Sequence, residues 1–192
     1  MPTPKSSSTA PIYQLKIILK DIRPPIWRRI QVPGDLTLGR LHQVLQIALD
    51  WSDMHLHQFQ VGNTFYGVPD PEYDVMGPPM RDEKRVRLNT LLRREKDKMI
   101  YEYDFGDGWK HDIVLEKILP READIHYPIC LAGKRACPPE DCGGVGGYEM
   151  FLEAIQNPEH PEHDEMLEWV GGAFDPEAFD LEVVNKRLRA FQ

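Results

Sequence analysis

The chain has 192 residues, of which 41% are apolar and 28% charged, and 31 acidic against 23 basic side chains give a net charge of −8. That length allows one large domain or two small ones, and the apolar fraction excludes a wholly disordered chain. No stretch approaches the roughly 18 apolar residues of a membrane-spanning helix, and residues 1–11 lack the apolar core of a secretory signal. We therefore expect a cytoplasmic protein without membrane contact, with a disordered tail over residues 1–11 and one domain over residues 12–192.

The first third of the chain predicts two strands, a helix and a hairpin. The predicted strands cover residues 13–19, 26–32, 54–61 and 64–66. Between the second and third strands, Thr37 is a suitable N-cap for a helix whose apolar residues recur at intervals of three and four. The hairpin turns at Gly62 and Asn63. The resulting order, strand-strand-helix-strand-strand, is β-grasp-like.

The remainder predicts a further hairpin and a helical C-terminal part. Residues 67–87 are rich in proline, glycine and charge, which is typical of a functional or mobile connection, and residues 86–92 form a short strand or a helical turn. The strongest hairpin pairs residues 99–105 with 109–119. Beyond it, a loop over residues 127–147, rich in cysteine, proline and glycine, precedes helices over residues 148–156, 162–170 and 181–191. We predict an α+β fold with a mostly antiparallel sheet, the sheet-rich part being residues 12–119 and the loop and helices residues 120–192.

Five motifs occur in a fixed order along the chain. They are DIRPPIWRRIQVP at 21–33, LH leading to WSDMHLHQF within 41–59, YEYDFGDGWKH at 101–111, CPPEDCGG at 137–144 and FDPEAF at 174–179. Together they resemble the plasmid pRiA ORF-three-like family over residues 12–191. Members of this family carry names such as insertion-element passenger protein of TnpR type. The resemblance therefore implies an origin on plasmids or mobile elements and names no reaction.

A recombinase, which the TnpR label suggests, lacks support in the residues. Three of the four serines lie in the predicted tail, and Ser52 follows Trp51 where a cap or turn is the simpler role. The sequence contains no G-x-S-x-G motif, which disfavours a serine hydrolase. The sequence favours a binding or interaction module.

Two histidines are the strongest candidate ligands. His55 and His57 are two residues apart in a predicted strand, so we expect both imidazoles on one face. Two neutral imidazoles commonly begin a site for a divalent metal such as zinc. The hairpin residues that could complete it are Asp104, Asp107 and His111. The alternative is that these side chains hydrogen-bond to loop backbone and stabilise the turn.

The loop over residues 137–147 suggests an enzymatic alternative. If the His/Asp cluster holds a metal where it meets this loop, Glu140 or Asp141 is the candidate general base of a metal-dependent hydrolase. The glycines of the loop lead into a helix and could bind an anion there, but no Lys-Ser/Thr follows them. A tight turn against the sheet is the favoured explanation of these glycines.

Cys130, Cys137 and Cys142 are candidate ligands of a structural zinc, with a histidine such as His126 as the fourth. Their spacing is wider than the usual zinc hook, and an odd number of thiols indicates a reducing compartment. We favour buried small side chains.

Nucleic-acid binding is a third hypothesis. The positive charge of the chain is concentrated in residues 81–98, where the candidate contacts are Lys84, Arg85, Arg87, Arg93 and Arg94. The acidic second half would repel a phosphate backbone, and the segment has no aromatic residue that could stack on bases. A solvated surface is the favoured interpretation.

Overall fold

The computed structural model describes residues 9–70 and 79–191, so most of the predicted tail lies outside the described residues. The strands are β1 (Ile12–Leu19), β2 (Trp27–Pro33), β3 (His57–Val61), β4 (Thr64–Gly67), β5 (Arg81–Asp82), β6 (Lys98–Tyr103), β7 (Trp109–Leu119) and β8 (Ile129–Lys134). The helices are α1 (Leu38–Leu49), α2 (Leu88–Leu91), α3 (Gly144–Gln156), α4 (His163–Trp169) and α5 (Leu181–Ala190). No helix among these is both long enough and apolar enough to cross a bilayer.

The strands form one eight-stranded sheet in the order β5-β4-β3-β6-β7-β1-β2-β8. Every neighbouring pair is antiparallel except β4 and β5. The β6–β7 hairpin lies between the β3–β4 hairpin and the β1–β2 hairpin, and joins them into one surface. The α+β class with a mostly antiparallel sheet is confirmed.

Helix α1 packs its apolar side chains into the core and carries two polar side chains inward with them. Thr37 caps it, accepting a hydrogen bond from the Arg40 backbone N–H at 3.4 Å, as the sequence predicts. Leu41 is fully buried on the inner face, and His42 and Gln46 are almost as deeply buried. Buried polar groups require hydrogen-bond partners, so these two side chains must find theirs inside the protein.

Two strands differ from the predictions. β8 lies within residues 127–147, which we predicted to be loop, and pairs with β2. Its apolar run is short and is flanked by proline and glycine, so the local sequence does not predict a strand. The strand forms because the edge of β2 is available for pairing. β5 has two residues and exists only through its pairing with β4. Residues 86–92 contain the helical turn α2 rather than a strand. Phe105, which the predicted hairpin includes in its first strand, lies beyond the end of β6 and is exposed.

The C-terminal helices α3, α4 and α5 are confirmed, and α5 covers the outer edge of β8. The Asn185 side chain donates to the Cys130 carbonyl at 2.9 Å and accepts from its N–H at 2.8 Å. The buried Arg28 guanidinium of β2 donates to the carbonyls of Ala48 at 2.8 Å and Lys134 at 3.0 Å. These contacts hold the last third of the chain against α1 and the sheet.

Candidate metal-binding sites

Ligand atoms of His42, Asp53 and His57 lie within 4.8 Å of one another where α1 meets β3, and Glu83 joins this group through His57. The imidazoles of His42 and His57 stack face to face, with ring centroids 3.4 Å apart and an angle of 3° between the planes. Each Nε2 atom lies 2.7 Å from a carboxylate oxygen, of Asp53 for His42 and of Glu83 for His57. We call this group the stacked-histidine cluster. It joins α1, the segment after α1, β3 and the segment after β5.

Hydrogen bonds behind this cluster fix its orientation. The Tyr101 hydroxyl of β6 lies 2.8 Å from His42 Nδ1 and accepts from the Gln46 side chain at 2.9 Å. Gln46 also accepts from the Asp53 backbone N–H at 2.9 Å. These partners direct His42 Nε2 towards Asp53, as outer-shell groups do for ligating histidines. Burial, and next the neighbouring His57 ring, lower the pKa of His42, which favours the neutral ligand form.

The stacked-histidine cluster borders an open cavity of about 470 Å³. Glu83, although charged, is only 3% exposed, and a Cβ on Gly39 would lie 3.0 Å from its carboxylate. The glycine in α1 therefore leaves the space that this carboxylate occupies. The exposed side chains of Leu56 and Val68 line other parts of the cavity.

A second group lies where the β6–β7 turn meets the loop after β8. The His55 Nε2 atom is 3.1 Å from Asp141 Oδ1 and 3.7 Å from Asp104 Oδ2. We call this group the loop cluster. The His55 ring packs edge-on against Tyr103, with centroids 5.8 Å apart.

Glu140, a candidate general base, takes part in a hydrogen-bond network beside the loop cluster. It accepts from the Tyr103 hydroxyl and from both the backbone N–H and the hydroxyl of Ser52. Burial and the hydrogen bond to Glu140 raise the pKa of Tyr103, so its hydroxyl stays protonated as the donor. This network holds the loop onto the segment after α1.

The five residues expected to form one site are divided by the structure. His57 belongs to the stacked-histidine cluster, while His55 and Asp104 belong to the loop cluster. The expected shared strand face of His55 and His57 is wrong because β3 begins at His57. Asp107 accepts from the Gly143 N–H at 3.2 Å and joins turn to loop. His111 is fully buried, and burial lowers its pKa to about 4.

The three cysteines are not brought together as metal ligands. Among the described residues, neither group of close ligand atoms contains a thiol. Burial raises the pKa of Cys130 and of Cys137 to about 11 and that of Cys142 to about 12, so all three are protonated. The loop glycines form a tight turn: a Cβ on Gly147 would lie 1.9 Å from the Cys142 carbonyl oxygen, and one on Gly144 would lie 2.5 Å from the Asp107 carbonyl oxygen.

The basic segment has acidic neighbours at several points. Arg85 lies 3.3 Å from Asp82, and Arg87 lies 3.8 Å from Asp35. Lys84 donates its backbone N–H to Asp82, while Arg93 and Arg94 donate theirs to Asp97. These acidic neighbours reduce the positive field that a phosphate backbone would meet.

Three cluster residues were absent from the sequence-based site. His42 stands within an apolar stripe, and the recurrence of polar residues at His42 and Gln46 was the available signal of a polar inner face. Asp53 follows Ser52 in a short polar segment that is typical of a turn. Glu83 lies within the polar connection over residues 67–87, and only the fold brings it to His57.

The sheet, the order of its strands and the helices packed on it define an α+β fold shared with a solved structure. That structure is the protein of unknown function MM3350 from Methanosarcina mazei Go1, which is 42% identical with a TM-score of 0.82, over 91% of this chain and 98% of that chain. The model of the plasmid pRiA4b ORF-3-like protein family matches residues 11–183, and the chain belongs to this family. The uncharacterized protein y4hQ of Sinorhizobium fredii (strain NBRC 101917 / NGR234) is 38% identical over 181 residues, covering 93% of this chain and 91% of the relative. Family membership thus establishes no specific activity.

Proposed function

We propose that this protein is a binding module for a divalent transition-metal ion, held by His42, Asp53 and His57, with Glu83 moving in from its contact with His57 to complete the ligand set. One observation carries the proposal: two imidazole nitrogens each face a carboxylate oxygen at 2.7 Å beside an open cavity. Hydrogen bonds alone could account for each pair separately. They give no reason for the imidazole rings of the two pairs to stack with centroids 3.4 Å apart.

The donor set favours zinc. Imidazole nitrogens and carboxylate oxygens are ordinary zinc ligands, whereas calcium and magnesium select oxygen ligands. A ligand set of two carboxylates and two neutral imidazoles carries a formal charge of −2, which one divalent ion cancels. Because Glu83 is buried, compensation of its charge has a large effect on stability.

Binding requires a movement of the rings. The lone pair of an imidazole nitrogen lies in the ring plane, so one ion cannot bond well to both nitrogens of a parallel stack. We expect the angle between the His42 and His57 ring planes to increase from 3° when zinc binds. A crystal structure with zinc would show the two rings splayed, each directed at the ion.

Metal-dependent hydrolysis is a second candidate, favoured by the open cavity beside the cluster. An ion there has room for a water molecule, whose pKa it would lower towards neutrality. Among the described residues, Glu140 does not line this cavity. We assign Glu140 to holding the loop.

The contacts between the two ends of the chain support a single domain over residues 12–192. Asn185 of α5 holds β8, and Arg28 of β2 holds α1 and the end of β8. Three unpaired thiols support a cytoplasmic location. Nucleic-acid binding through residues 81–98 remains a sequence-based prediction.

The metal proposal is tested by calorimetric titration of chelator-treated protein with zinc. We expect saturable binding by the wild type, at least tenfold weaker binding by Glu83→Gln and Asp53→Asn, and unchanged binding by His126→Ala, an exposed histidine outside both clusters. Asp53 is half-exposed, so its variant should fold even if the Glu83 variant does not. Wild-type affinity in both carboxamide variants, or no saturable binding by the wild type, would refute the proposal.

A further inference from the structure

We infer that the loop cluster is a second divalent-metal site, independent of the stacked-histidine cluster, which attaches the loop after β8 to the sheet. Its protein ligands are His55, Asp104 and Asp141. They come from the segment before β3, the β6–β7 turn and the loop after β8, so one ion would cross-link three distant parts of the chain.

The spacing of the ligand atoms is close to that of a coordination shell. Ligands bonded to zinc at 2.0–2.2 Å in a tetrahedron lie roughly 3.3–3.6 Å from one another. His55 Nε2 is 3.1 Å from the Asp141 oxygen and 3.7 Å from the Asp104 oxygen, which brackets that interval. This nitrogen is shielded from solvent, and no described residue gives it a hydrogen bond of acceptable geometry. It faces both carboxylates without bonding to either.

The two oxygens of the Asp104 carboxylate have different surroundings, and only one of them is free to bind a metal ion. Oδ1 accepts from the backbone N–H groups of Gly106 at 2.9 Å and Asp107 at 3.3 Å, which fixes the side chain in the turn. Oδ2 is the atom that faces His55. A monodentate ligand whose other oxygen is held by hydrogen bonds is the usual arrangement around a bound metal.

Asp141 is presented by a loop that is already anchored. Its neighbour Glu140 accepts the Tyr103 and Ser52 hydrogen bonds, and Gly143 donates to Asp107 on the other side. Asp141 itself has φ 62°, a left-handed conformation that costs energy in a non-glycine residue. Asp104 has φ 57°. Both aspartates thus hold a left-handed backbone conformation, which the surrounding contacts maintain.

The charge of the loop cluster calls for a cation. Within the described part of the chain, no lysine or arginine nitrogen lies within 4 Å of the Asp104 or Asp141 carboxylate. One imidazole and two carboxylates suit zinc or manganese. The Asp141 side chain is 71% exposed, so water can complete the shell.

The test is the number of zinc ions bound per chain, measured by equilibrium dialysis and elemental analysis. We expect two for the wild type, one for Asp141→Asn and two for the control Asp124→Asn, an exposed carboxylate outside both clusters. Asparagine tolerates the left-handed conformation, and Asp141 is exposed, so this variant should fold. Asp104→Asn, which keeps the Oδ1 acceptor, should also bind one.

The variants separate the two sites. Glu83→Gln should bind one ion, lost on adding Asp141→Asn, and zinc should raise the melting temperature of Glu83→Gln but not that of the double variant. A wild type that binds a single ion, lost in Glu83→Gln and retained in Asp141→Asn, would overturn this inference and leave the first site standing. A single ion lost only in Asp141→Asn would support this inference and refute the first site.

Discussion

Replacing Tyr103 with phenylalanine removes one hydroxyl and leaves a fully buried ring in place. The hydroxyl donates to the Glu140 carboxylate and accepts from the Met54 backbone N–H at 3.1 Å. A hydrogen bond to a charged group contributes about 1.5–3 kcal/mol and a neutral one about 0.5–1.5 kcal/mol. Because Glu140 is only partly buried, water can hydrogen-bond to its carboxylate in the variant and offset part of the lost stability. We expect the free energy of unfolding to fall by about 2–3 kcal/mol.

The measurement is urea unfolding, with Tyr66→Phe as the matched control. Tyr66 is also buried, but its hydroxyl makes no hydrogen bond to any residue that the structure describes. The control should lose less than about 0.5 kcal/mol. Since Glu140 precedes Asp141, Tyr103→Phe should also weaken zinc binding at the loop cluster several-fold. Equal stability losses in the two variants would refute the role of this hydroxyl in attaching the loop.

Three other substitutions test separate parts of the structure. His111 is neutral when folded, with a pKa of about 4 against 6.5 unfolded, so its contribution is complete above pH 6.5 and disappears as the pH falls through that interval. The stability advantage of wild type over His111→Gln should therefore shrink by roughly 3 kcal/mol between pH 7 and 4, measured by urea unfolding at each pH. Gly147→Ala should lower the free energy of unfolding by at least about 2 kcal/mol, because the new Cβ would meet the Cys142 carbonyl. The control Gly146→Ala places its Cβ in open space and should be neutral or stabilising in thermal unfolding. Asp180→Ala removes a side chain that caps two backbone N–H groups of α5 and should cost about 1 kcal/mol in the same assay; an unchanged melting temperature would contradict the cap.

The local sequence was sufficient to predict the helices and strands whose apolar residues recur at a regular interval. The apolar stripe of α1 and the alternation of β6 and β7 lie within a few residues, so the sequence predicts them well. β5 and β8 have no comparable signal, because each exists through pairing with a strand distant in sequence. The sheet order itself follows from long-range contacts, which no local pattern contains.

The candidate sites were predicted only in part, for the same reason. His57 and Asp104 were identified because histidines and turn aspartates are conspicuous. We expected both to share one site with His55, but His55 precedes β3 and lies with Asp104, while His57 lies in the other cluster. His42 occupies a helix face that otherwise packs in the core, and Glu83 reaches it from a connection whose path cannot be inferred from composition.

The position of the β6–β7 hairpin in the sheet has a consequence for synthesis on the ribosome. The hairpins that contain residues 12–33 and 57–67 do not pair with each other, and the strands between them are made later. A nascent chain that ends before residue 98 contains two separate hairpins and the helices α1 and α2, without the strands that join the hairpins into one sheet. Such hairpins are marginal alone, so stable structure should emerge only after residue 119 has left the exit tunnel.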